Sequence, residues 1–382
     1  MPNPETDAQP RDELHIVAGS ITVLRMLDIA YAIDLAKVES LWTAHTSAST
    51  SRARLNATPA KAMAFGDPPV ALHLAPMQLD FGQGLLECSV TASFYAFGAV
   101  ALAIGVPLRD MPWPQLLRLN HEIDRRIGPA GEATLWLSLL QGVVAIVGPA
   151  LEKPSPTQLQ EDYVIVLLSD LSEHLSAEAL MARVDLAPLL SGEERELSES
   201  ARQDLLRQKF SYYADDLVVL TWDRAFVYEP RGDSDVLDVL EVANAQLLEL
   251  RYYDELLDAE LPRMYDQVEG ARHAIALLAA RQFANLARRL YTLVAEVTEL
   301  TEKIDNTLQV TEDVYLARVY GAALTLFRVP SVAAAVDRKL SIIRDTYTAL
   351  YEEASSRRAE LLEIAIVVLI VVEIVLALKQ WH

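Results

Sequence analysis

Cysteine is almost missing from this chain: Cys88 is the only one in 382 residues. An intramolecular disulfide is therefore excluded, as is any metal site built from several thiolates. Cys88 stands in the run Leu85-Leu86-Glu87-Cys88-Ser89-Val90, where an inert buried thiol is expected, and a reducing compartment fits best. Positive charge is also short. The 33 Lys and Arg residues face 54 Asp and Glu, a formal net charge of −21. A grip on nucleic acid through its phosphates is not expected on that balance. The small basic clusters, Arg125-Arg126 and Arg281 with Arg288-Arg289, read as solvated helix faces. The N-terminus has no apolar stretch of the signal-peptide kind, so the bulk of the chain is expected in the cytoplasm.

Catalytic signatures are equally scarce. Glycine-rich phosphate loops and the Gly-x-Ser-x-Gly nucleophile turn are absent from the sequence. His121-Glu122-Ile123-Asp124-Arg125 begins like a zinc-protease helix, but Arg125 stands where the second histidine ligand belongs. Asp215-Asp216 and the group Asp233, Asp235 and Asp238 are explained as turn and helix-start carboxylates rather than as a cation site. No catalytic residue, cofactor or metal is expected.

What is present is apolar patterning, at 52% hydrophobic residues. Residues 1–14 read as a disordered N-terminus. His15 to Leu27 reads as a strand, with a short helix expected from Ala30 to Trp42. Two strand-like runs between Gly84 and Gly105 flank Phe94-Tyr95-Ala96-Phe97-Gly98, and a helix follows from Pro112 to Ile127, giving a β-β-α unit. A similar unit runs from Asp216 through the turn Trp222-Asp223-Arg224 to a helix opening near Asp233 or Ser234. Pro154-Ser155-Pro156 marks a boundary between an α/β region at 15–153 and a second at 157–232.

Beyond residue 233 the strand signals stop. Leu237, Leu240, Ala243, Leu247, Leu250, Leu257 and Leu261 recur near helical spacing, and Pro262 is expected to kink or end that helix. Leu286, Leu290, Leu293, Val297, Leu300, Ile304 and Thr307 form a heptad seam, and a second seam runs from Leu340 through Ile343, Tyr347 and Leu350 to Leu361. A turn at Pro330 would join them as an antiparallel hairpin over 233–360. Such seams pack either within the hairpin or between copies, so a homo-oligomer through the stalk is one expectation. Within the first helix, Glu241, Asn244, Gln246, Glu249, Arg251 and Tyr252 interrupt the leucines. They are candidates for buried contacts that set the packing of this helix, or for a partner-docking surface.

Leu361 to Leu378 is apolar on every face, and at ~1.5 Å per residue it covers roughly 27 Å, close to the ~30 Å of bilayer hydrocarbon. Leu361, Ile366, Leu369, Ile370 and Leu376 supply the apolar surface. At ~−0.4 kcal/mol per aliphatic residue the gain is about 6 kcal/mol, against about 3 for Glu373 near mid-membrane, with Glu363 cheaper near the interface. Trp381 follows as an interfacial anchor. A single transmembrane helix at 361–378 is therefore expected, with the lipid bilayer as one partner.

Three stretches resemble the Rmd family, named for being required for meiotic nuclear division. They are Ala30-Tyr31-Ala32-Ile33-Asp34-Leu35-Ala36-Lys37-Val38, Phe94-Tyr95-Ala96-Phe97-Gly98-Ala99-Val100, and the terminal run from Leu361 to Glu373 with two glutamates ten residues apart. The resemblance implies membrane attachment and carries over no catalytic residue. The sequence thus reads as an α+β protein: an N-terminal α/β body with β-β-α units, then a long helical hairpin ending in one membrane helix. The expected role is a membrane-anchored scaffold that recruits a protein partner without catalysis. The alternatives are divalent-cation transport of the CorA kind, against which the single span and the absence of Gly-Met-Asn argue, and a membrane-tethered enzyme with no recognisable motif.

Overall fold

The computed structural model describes residues 14–45, 50–52, 63–64, 68–82, 84–129, 131, 133–154, 159–193, 195–231, 235–272, 276–307, 309–310 and 314–380. Asp233, Ser234, Ser155, Pro156, Trp381 and the expected disordered N-terminus up to residue 13 lie outside them. The elements are β1 (His15–Asp28), β2 (Ala30–Ile33), α1 (Leu35–His45), β3 (Thr50–Arg52), β4 (Met63–Ala64), β5 (Val70–His73), β6 (Met77–Asp80), β7 (Leu85–Phe94) and β8 (Ala99–Pro112). Then follow α2 (Trp113–Ile127), α3 (Ala133–Val147), β9 (Leu151–Pro154), β10 (Gln160–Leu171), α4 (Ala177–Arg183), α5 (Ala187–Ser191), α6 (Glu199–Leu205), β11 (Gln208–Phe210), β12 (Leu217–Leu220) and β13 (Arg224–Tyr228). The last are α7 (Val236–Arg272), α8 (Ala276–Thr307), β14 (Gln309–Val310), α9 (Val314–Leu326) and α10 (Val329–Gln380).

The fold is mixed α+β, with a sheet-rich N-terminal body and a helical C-terminal region. Two compact units divide it: residues 1–249 with 304–330, and residues 250–303 with 331–382.

In the first unit a ten-stranded sheet runs in the order β11-β12-β13-β10-β1-β8-β7-β5-β3, with β6 paired to β7. β1 is its axis. This β-branched strand pairs antiparallel with both β8 and β10, from Val23 opposite Ile104 to Val23 opposite Val164. β10 and β13 run parallel. One sheet thereby takes strands from both the 15–153 and the 157–232 regions. Alternation along the strands sends Ile21, Val23, Leu102, Ile104, Val106, Val164 and Val166 into one core, where Leu116, Leu119 and Ile123 of α2 meet them. The opposite face is also covered, since Tyr163 of β10 meets Phe327 edge-on at 5.2 Å.

Three expectations need correction. Ala30–Ile33 is a strand, paired with β9, and the helix starts only at Leu35. Asp34 is what starts it: its carboxylate accepts from the Lys37 amide at 3.0 Å, the N-cap bond. Pro262 does not end α7, which runs through it to Arg272, with Leu257 and Met264 buried on either side. No short turn at Pro330 joins the two seams, because β14 and α9 intervene. The chain breaks instead at Arg328, whose φ is +59°, and Pro330 sits in the first turn of α10, where its missing N–H costs nothing.

In the second unit the later part of α7, α8 and α10 pair with one another. Glu260 takes an ion pair from Arg289 at 2.7 Å, Lys339 reaches Asp254 at 2.7 Å, and Tyr291 lies 5.8 Å from Tyr347. Leu286, Leu290 and Val297 of one seam and Leu340, Ile343 and Leu350 of the other are buried within the chain. Leu300, Ile304 and Thr307 have side chains outside the description.

Candidate functional site

Two places in the first unit gather polar chemistry. The first is the start of α7. Tyr95 follows β7 in the turn Tyr95-Ala96-Phe97-Gly98, which doubles back on β2: the Ile29 and Ala30 amides donate to the Gly98 carbonyl at 3.1 and 3.3 Å, and the Ile33 amide to the Ala96 carbonyl at 3.0 Å. Gly98 has φ +111°, and a Cβ there would collide with the Ala30 carbonyl, so glycine is required on two counts. The stretches 30–38 and 94–100, read separately in the sequence, thus meet in space.

From this turn the buried Tyr95 hydroxyl donates to Glu241 Oε1 at 2.8 Å. Burial pushes the Glu241 carboxyl up, while hydrogen bonds from Tyr95 and Ser93 pull the other way. Asp238, one turn earlier, is pushed up to about 7 by burial and by the charges of Glu241 and Asp235. The site therefore holds a proton near neutral pH. Ser93 and the Tyr95 hydroxyl were not singled out in the sequence, and Asp238 was read there as a helix-start carboxylate; its spacing from Glu241 on one helix face was the signal for the pair.

The other polar residues of this stretch spread along the helix. Asn244 is 3% exposed, and its Nδ2 donates to the Leu240 carbonyl at 2.9 Å. Gln246 Oε1 accepts from the Tyr320 hydroxyl at 2.6 Å, and Glu249 is buried. These three, with Glu241, belong to the first unit. Arg251 is exposed and Tyr252 lies 5.5 Å from Tyr253, both in the second unit. Asp215 pairs with His174 at 3.1 Å, and Asp216 accepts from the Tyr212 amide at 2.8 Å. Among the described residues no His, Cys, Asp or Glu group is arranged to hold a metal ion. Cys88 is buried, its thiol pushed up to about 11 by desolvation.

The second place is a cavity of about 920 Å³ lined by α2, by the Phe81-Gly82 turn, and by the segment from Asp185 to Arg202. Leu117, Arg118, His121, Glu122 and Arg125, at successive turns of α2, form its wall. Arg202 grips Asp185 with both Nη atoms, at 2.7 and 3.0 Å. Arg125 bonds Glu122 at 2.7 Å and holds its carboxyl below the usual range, and Arg126 donates to the Asp80 carbonyl. Behind the wall, Asp124 pairs with buried Arg224 at 2.5 Å, and Gly192 (φ +66°) leaves room for that pair. The Arg125-Arg126 cluster, read from the sequence as a solvated face, borders this cavity.

At the far end, α10 carries Glu363, Ile366, Leu369, Ile370, Glu373 and Leu376 on a continuous helix, all exposed. Leu361 lies in the same helix, its side chain outside the description. Among the described residues one helix is by itself long and apolar enough to cross a membrane, Ala133–Ala150, and it lies mid-chain.

Residues 18–235, more than half of the chain, match the family described as "Uncharacterized protein MJ0711, N-terminal domain". The chain belongs to this family. A relative from Methanocaldococcus jannaschii, "Uncharacterized protein MJ0711", is 27% identical over 231 residues, which is 60% of this chain and 70% of the relative. No solved structure matches the chain. The MJ0711 match runs from within β1 through β13, and with them takes in the whole cavity and the Tyr95 turn, but stops before α7.

Proposed function

We propose that the protein is a membrane-anchored scaffold of the Rmd type, whose body and helical stalk recruit a protein partner on the cytoplasmic side. The observation that carries the reading is the end of α10. From Leu362 to Ile374 every large apolar side chain is between 47% and 67% exposed, and Ile366 to Val372 are consecutive, so no face of the helix is covered. A helix in water hides an apolar stripe, and an apolar surface on all sides asks for a lipid solvent. The sequence stays apolar from there to Leu378, which brings the length to a full span.

Ala133–Ala150 is the weaker candidate. Trp136, Val143 and Val147 of α3 are buried, the Trp136 indole donates to the Ile127 carbonyl at 3.1 Å, and Arg25 stacks over its ring at 5.0 Å. These ties make α3 a helix of the body. With Leu286, Leu290, Val297, Leu340, Ile343 and Leu350 buried within the chain, we assign stalk self-association to the exposed rings of Tyr291 and Tyr351.

The test is membrane fractionation of the full chain beside a chain ending at Glu360. The full chain is expected to resist alkaline carbonate, and the shortened chain to be released with its thermal transition within a few degrees. Release of the full chain, or retention of the shortened one, overturns the anchor. Crosslinking in intact membranes tests the scaffold, which fails if no partner recurs between preparations.

A further inference from the structure

We propose that the cavity beside α2 binds a small phosphate ester that also carries a hydroxyl group. The proposal stands apart from the membrane reading, since every wall lies in the sheet-rich unit. Its volume of about 920 Å³ suits a small organic ligand, and Phe81, Leu117 and Pro188 offer apolar surface for a carbon skeleton.

Charge points to the anion. Five arginines and four carboxylates line the cavity, so the local balance is positive, whereas the chain as a whole carries −21. Three of those arginines are engaged: Arg202 by Asp185, Arg125 by Glu122 at 2.7 Å, and Arg126 by the Asp80 carbonyl. Arg118 and Arg195 are exposed, and among the described residues no carboxylate pairs with either. Glu193 and Glu196 line the cavity as well, so its net charge is +1, and the planar forks of Arg118 and Arg195 fit phosphate oxygens.

Asn120 points to the hydroxyl. It lines the cavity at 2% exposure, and its carboxamide oxygen has no hydrogen-bond partner among the described residues. A buried acceptor without a donor is costly, and a phosphate dianion has no proton to give it. A ligand hydroxyl does.

Calorimetric titration of the full chain in neutral detergent at fixed ionic strength tests the proposal. The probes are ribose 5-phosphate, glycerol 3-phosphate, inorganic phosphate and ribose. Saturable binding is expected for at least one of the two esters, with inorganic phosphate about tenfold weaker or more and ribose silent. Tighter binding of glycerol 3-phosphate assigns the ester to a lipid headgroup, and tighter binding of ribose 5-phosphate to a free sugar phosphate. Arg118→Gln and Arg195→Gln alter exposed side chains, and each should weaken the preferred ester by about tenfold. Asn120→Ala should shrink the gap between that ester and inorganic phosphate; if that buried variant does not fold, the arginine variants decide alone. The proposal is overturned if neither ester binds, or if both arginine variants bind as the parent does.

Discussion

The two units differ in their best-buried charge pairs. In the sheet-rich body two pairs are sealed: the Arg25 side chain is 2% exposed and bonds Asp162 at 2.6 Å, and that of Arg224 is 9% exposed and lies 2.5 Å from Asp124. In the helical unit they stay wet. The Arg289 side chain is 53% exposed in its pair with Glu260, and Lys339 shares its charge with an Asp258 that is 63% exposed. Burial decides what each pair is worth, because a stranded charge inside a sheet cannot recruit water whereas one on a helix surface can. Substitutions of the same type should therefore have unequal effects in the two units.

The largest effect is expected where the backbone of the body is committed. Gly98→Val forces a branched side chain into φ +111° and against the Ala30 carbonyl, separating the β7–β8 turn from β2. A loss of about 4 kcal/mol or more is expected in urea denaturation, enough to leave the body largely unfolded. A loss below about 1 kcal/mol would mean that the turn relaxes freely and that the body is softer than its core indicates.

Next in size is the sealed pair. Asp162→Ala leaves the Arg25 guanidinium buried, still bonded to the Gly128 carbonyl at 3.2 Å and stacked on Trp136, but without its counter-charge. About 3 kcal/mol should be lost. A double variant with Arg25→Met should recover much of that loss, since removing both charges removes the stranded one.

A smaller effect tests the protonated cluster at the start of α7. The Asp238 carboxyl, pushed up to about 7, holds a proton in the folded protein at pH values where the unfolded chain has already lost it. Its contribution to stability is therefore present at low pH and disappears as pH rises through about 7. The parent should lose on the order of 2 kcal/mol between pH 5 and pH 8 from this group, and Asp238→Asn should not. Equal slopes for parent and variant in that window would place the carboxyl in water.

How far the sequence could be read follows the same division between local and distant causes. The β-branched run of β1, the helix from Trp113 to Ile127 and the strands around Trp222-Asp223-Arg224 rest on neighbours in sequence, and period and turn chemistry reveal them. Asp34 was also legible as a helix cap, and passing over it turned Ala30–Ile33 into helix. Pro262 misled because burial of Leu257 and Met264 outweighs what one proline costs. The sites were not legible in this way. Tyr95 and Glu241 are 146 residues apart, and Arg125 reaches the wall opposite Asp185 and Arg202 only because α2 and α5 lie over the same sheet. Polar residues among leucines announced that Glu241, Asn244 and Gln246 had partners; Asn244 bonds the Leu240 carbonyl one turn back, but nothing local named Tyr95 and Tyr320 as the partners of the other two.

The smallest expected effect is the sharpest test of the comparison. Lys339 Nζ bonds Asp254 Oδ1 at 2.7 Å, the Asp254 carbonyl at 3.1 Å and Asp258 Oδ1 at 2.6 Å, a denser set of contacts than Arg25 makes with Asp162. Counted by bonds, it should matter more. Counted by burial, it should matter less, because Asp254 and Asp258 turn to water once the lysine is gone, and the methylenes of a methionine replace those of the lysine stem. We expect Lys339→Met to lower the stability of the full chain by less than about 1 kcal/mol and to respond weakly to added salt. If the loss instead equals that of Asp162→Ala, then Asp254 and Asp258 behave as stranded charges and the helical unit is sealed as tightly as the body. Solvent exposure would then no longer be what separates the two.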